Sequence, residues 1–132
     1  MSLLSSVVIQ DGEQATGELT TVVRIGKTIR RPIGVWTPAV HSLLEHLERA
    51  GFGGAPRPRG IDEPGREVLT LVVGEVAMRP WPAVLVSGDG LSQLARWLRA
   101  YHDAVADFVP AADARWIVPE SNLATRTDCP TR

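Results

Sequence analysis

The chain has 132 residues, 44% of them apolar and 22% charged, with 14 basic against 15 acidic side chains. That length suits one domain with its own core and leaves no room for a second full one. The net charge of −1 excludes a general nucleic-acid or membrane-surface binder, whose affinity needs a clear basic excess, and no apolar run approaches the roughly 18 residues of a membrane span.

The opening, MSLLSSVVIQDGEQ, lacks the basic start and long apolar centre of a signal peptide. The single cysteine, Cys129, cannot form an internal disulfide, so a cytoplasmic location is expected. Residues 5–10, SSVVIQ, read as a short strand, and DGEQATGE at 11–18 as a polar, glycine-bearing hairpin loop. LTTVVRI at 19–25 is β-branched and predicts a strand. A tight turn at Gly26-Lys27 leads into a further strand, KTIRRPI, which Pro32 ends because it cannot donate to a continuing ladder.

Thr37 then reads as the N-cap of a helix, with Pro38 at its first position. Val40, Leu43, Leu44 and Leu47 recur on one face, and Gly51 supplies the C-terminal glycine. A hairpin follows, turning at Glu63-Pro64-Gly65-Arg66. Its second arm, EVLTLVV at 67–73, is almost continuously apolar and reads as a central strand buried on both faces. Gly74 breaks it, and MRPWPA forms an irregular connector. A second helix spans 89–107, with Leu91, Leu94, Ala95, Leu98, Tyr101, His102 and Val105 on one stripe. Beyond Phe108 periodicity is lost, and the remainder reads as an irregular or flexible tail, with an anchor at Trp116-Ile117.

The expected fold is therefore α+β: an antiparallel sheet of about five strands with one packed helix, then a second helix and a tail. The expected organisation is an N-terminal lobe at 1–88, the second helix within 89–109, and a tail at 110–132. His41 and His46 do not share a helical face, so no metal site is expected.

Two phrases carry a resemblance. RIGKTIRRPIGVWTPAVHSLLEHLERAGFGGAPRPRGIDEPGREVLTLVVGEV and LARWLRAYHDAV, in that order, resemble the small lobe and first large-lobe helix of bacterial aminoglycoside phosphotransferase-like enzymes, with their protein-kinase-like fold. The resemblance covers about residues 5–109. It implies ATP as cofactor, with Mg, and a cytoplasmic transferase fold. Arg30 would grip the phosphates. Gly12 and Gly17 would let a loop approach them, and Leu71, Val72 and Val73 would form the hinge against the adenine edge.

Two departures weaken the implied chemistry. Val40 or His41 stands where the family's helix carries the glutamate that pairs the strand cation, although His41 could substitute or Glu48 reach back. The sequence also runs into WIVPESNLATRTDCPTR where the family has its catalytic Asp-Asn loop and metal-binding aspartate. The implied function is thus a truncated phosphotransferase-like protein, a nucleotide-binding lobe that binds weakly at most and does not catalyse alone. The alternative is a non-catalytic interaction module, in which a homo-oligomer or another protein partner covers the helix at 89–107. Without the resemblance, Arg30 and Arg31 are edge-strand charges and DGEQATG is a hairpin connection.

Overall fold

The computed structural model describes residues 8–16 and 20–117. The fold is α+β, with one five-stranded antiparallel sheet and a few helices. In chain order the strands are β1 (Gln14–Thr16), β2 (Thr21–Ile25), β3 (Thr28–Pro32), β4 (Pro58–Ile61) and β5 (Arg66–Thr70). They are arranged β1-β2-β3-β5-β4. Helix α1 (Thr37–Arg49) lies between β3 and β4 in sequence, and α2 (Ala83–Val86) and α3 (Gly88–Val105) follow the sheet.

The β2–β3 turn needs Gly26, whose φ of 58° is strained for any residue with a Cβ. Thr28 Oγ1 closes it by donating to the Ile25 carbonyl at 2.7 Å. Helix α1 begins at Thr37 rather than using it as a cap. Trp36 occupies the capping position without a side-chain bond. Thr37 Oγ1 instead accepts from the Gly34 amide at 2.9 Å, so the hydroxyl serves the preceding loop. The helix ends as a Schellman motif. Gly51, at φ 75°, donates to the Glu48 carbonyl, and Phe52 donates to that of Leu47 at 3.0 Å. The same ending delivers Phe52 into the core, where it joins Leu44, Leu47 and Leu69.

Register settles which side chains share a sheet face. Arg24 pairs with Ile29, Ile29 with Leu69, and Arg31 with Glu67, so all five lie on one face. Helix α1 covers that face at its β5 end, while the β2–β3 end is left open.

Several expectations are corrected. Residues 8–10 are irregular, not strand, and residues 5–7 lie outside the described residues. Strand β1 falls inside the expected hairpin loop. It is short and polar, and it is held by its ladder to β2 and a Thr16–Thr21 hydroxyl contact at 3.0 Å, so no apolar alternation announces it. Strand β5 stops at Thr70 because its partner β3 begins at Thr28, opposite it. Val72 and Val73 are consequently 61% and 89% exposed rather than part of a buried strand. The four-residue α2 is too short to show periodicity. Trp116 and Ile117 are 41% and 49% exposed, so neither is buried as the expected anchor would be.

Candidate functional site

Where α1 leaves the sheet uncovered, a cavity of about 320 Å³ opens. Val22, Ile29 and Leu69 line it from the sheet, Val72 and Val76 from the connector, and Arg31 brings a cation to it. Mostly apolar walls with a few oriented polar groups are the usual make-up of a small-ligand or peptide site.

Arg31 is fixed by its neighbours. Its Nε donates to Oε1 of Glu67, a residue with no exposed surface. The other carboxylate oxygen accepts from His41 Nε2 at 2.7 Å. The register explains this arrangement: Arg31 and Glu67 face each other across β3 and β5, and α1 sets His41 above them. A buried carboxylate needs such partners, because desolvating it alone would cost several kcal/mol. Arg24 also lines the cavity, but its guanidinium is committed to main-chain carbonyls, Ile9 at 2.8 Å and Gly26 at 3.0 Å.

Arg30 points the other way. It donates to Asp62 at 3.2 Å and to Thr28 Oγ1 at 3.2 Å, with Val68 as its cross-strand neighbour. Asp62 also accepts from the Arg66 amide at 2.7 Å and from its guanidinium at 3.0 Å. Burial pushes the Asp62 carboxyl upward. The Arg66 amide, the Arg66 guanidinium and Arg30 outweigh that and hold it below the ordinary value of 3.8.

Of the residues singled out in the sequence, Leu71, Val72 and Val73 line the cavity, and Arg30 does not. Gly12 sits in the turn before β1, where its amide donates to the Arg24 carbonyl at 2.9 Å. Gly17 lies outside the described residues. Glu48, the other candidate to reach back to the strand, stands near Arg59 at 3.5 Å instead. Sequence reasoning missed Glu67 because EVLTLVV reads as an apolar run, and a charged residue at its start looks like a strand end. The signal was present in the pairing logic: a buried strand beginning with a carboxylate needs a cation opposite.

Comparison with known proteins bears on what this site serves. The chain is 42% identical over 103 residues to the trifolitoxin immunity protein of Rhizobium leguminosarum bv. trifolii. The match takes in 76% of this chain and 38% of that protein, so the chain spans well under half of its relative's length. That likeness overturns the phosphotransferase reading. No family model matches the chain, and no solved structure matches it. The expectations of an aminoglycoside phosphotransferase-like lobe and of an ATP-binding function are withdrawn. The geometry gives a physical reason as well. The arginine assigned to phosphates is turned to the opposite sheet face and held by Asp62, and the helix offers His41 to a buried glutamate rather than a carboxylate to a strand cation.

Proposed function

We propose that this chain acts in immunity to a toxin of the trifolitoxin kind and engages that toxin at the cavity on the sheet. The observation that carries the reading is the 42% identity over 103 residues to a trifolitoxin immunity protein. A match over 76% of this chain necessarily includes Pro56, Leu69, Thr70 and the connector at 71–76, which line one side of the cavity. The lining suits a ligand that presents an apolar stretch beside an acidic group. Apolar walls bury the stretch, and Arg31, already oriented by Glu67, meets the acid with little further loss of side-chain freedom.

The test is to express the chain in a trifolitoxin-sensitive strain and measure the toxin concentration the cells tolerate. Val73→Trp fills the cavity from a residue that is 89% exposed, so it leaves the core alone. The wild-type chain is expected to raise tolerance at least tenfold and Val73→Trp to abolish most of that gain. A well-expressed wild type that gives no protection sinks the immunity reading. Full protection by Val73→Trp moves the toxin site elsewhere.

A further inference from the structure

We propose that the N-terminal half of the apolar stripe of α3 is the docking surface for a second polypeptide module, the counterpart of the part of the rhizobial relative that lies outside the match. The apolar stripe of α3 is one continuous row, Leu91, Leu94, Leu98, Tyr101 and Val105, at helical spacing. Its C-terminal half is packed: Tyr101, Ala104 and Val105 lie against the core of α1, and Tyr101 meets Phe52 edge-on at 5.9 Å. Its N-terminal half is covered less: among the described residues Trp97 meets Phe52 edge-on at 5.6 Å and stacks on Tyr101 at 5.8 Å, and α2 packs against the start of the helix. Every residue from Leu91 to Ala100 is exposed, with Leu91 at 54%, Leu94 at 45% and Leu98 at 41%. The neighbouring α2 adds Val84 at 54% and Val86 at 69%.

An amphipathic helix takes most of its stability from packing that stripe, and solvated monomers rarely carry a contiguous apolar patch of this kind. The relative indicates the occupant. Most of α3 lies within any match of this length, yet only 38% of the relative is accounted for by it. In the relative the same helix therefore stands in a chain with a large further portion, and the less covered half of the stripe continues the interface that already packs within this one. The inference concerns assembly and does not rest on the toxin reading.

The experiment compares the full 132-residue chain with a chimera in which it replaces the matched segment of the rhizobial relative. Each is made with and without the pair Leu94→Glu and Leu98→Glu, and thermal unfolding is followed. In the isolated chain, where both side chains are already partly exposed, the pair is expected to shift Tm by less than about 2 °C. In the chimera, where it would place two carboxylates in a covered interface, a fall of roughly 8 °C or more is expected. Equal shifts in the two proteins overturn the proposal, as does a chimera that fails to fold or unfolds in two independent transitions. Light scattering on the isolated chain closes the remaining route: a dimer that the same pair dissolves would give the face to a second copy and overturn the proposal. Because the readout is stability, its failure is distinct from a failure of toxin protection.

Discussion

Arg30 and Arg31 are adjacent, chemically identical and energetically different. Arg31 is bonded to Glu67, whose other carboxylate oxygen meets His41 Nε2. Arg30 shares Asp62 with Arg66, which bonds the same carboxylate through both its amide and its guanidinium. Arg31→Ala therefore leaves a fully buried carboxylate short of its main partner and is expected to cost about 3 kcal/mol. Arg30→Ala leaves Asp62 satisfied by Arg66 and is expected to cost under about 1 kcal/mol. Urea unfolding of the two variants beside wild type decides the matter, and equal losses would contradict this account. The sequence announces a pair of strand-end arginines but not which one faces inward. That depends on pairing with a residue 36 positions away, and alternation along one strand carries no information about its partner's register.

At the level of elements, close backbone approach dictates the start of α3. Ser87 caps it by accepting from the Gly90 amide at 3.0 Å and donates to the Val84 carbonyl at 3.0 Å. A Cβ on Gly90 would lie 1.5 Å from that same carbonyl oxygen, so Gly90→Ala must push α2 away from α3. A loss of about 2 kcal/mol is expected, typical of overpacking against an unyielding neighbour. Gly88→Ala, which meets nothing within 4 Å, is the control and should be neutral or slightly stabilising. Urea unfolding with far-ultraviolet circular dichroism reads both. Elements with strong periodicity or turn chemistry were legible in the sequence: β2, β3, α1, the β4–β5 turn and α3 all stand near their expected positions. Strand β1 and helix α2 were not, since elements of three and four residues are too short to show a period.

For the molecule as a whole, acid stability should carry the mark of Asp62, which ties β3 to the β4–β5 turn. Its folded-state carboxyl is held below the ordinary value of 3.8, so its contribution is complete above that unfolded-state value. It fades as pH falls through the lowered folded value. Stability measured from pH 6 to pH 2 should therefore drop less steeply at the acid end for Asp62→Asn than for wild type, from a lower starting point. Parallel curves would remove Asp62 from the account. Helix and sheet meet at a different carboxylate, Glu67, held by His41 from α1 and by Arg31, which also lines the cavity. For descent with modification this makes three positions into one inherited character. Changing Glu67 alone strands a cation and an imidazole; changing either partner alone leaves a buried charge poorly matched. Lineages that diverge from this chain are expected to keep the three together or to replace them together. An exchange of all three for apolar residues of similar volume should be tolerated by the fold where the single steps toward it are not.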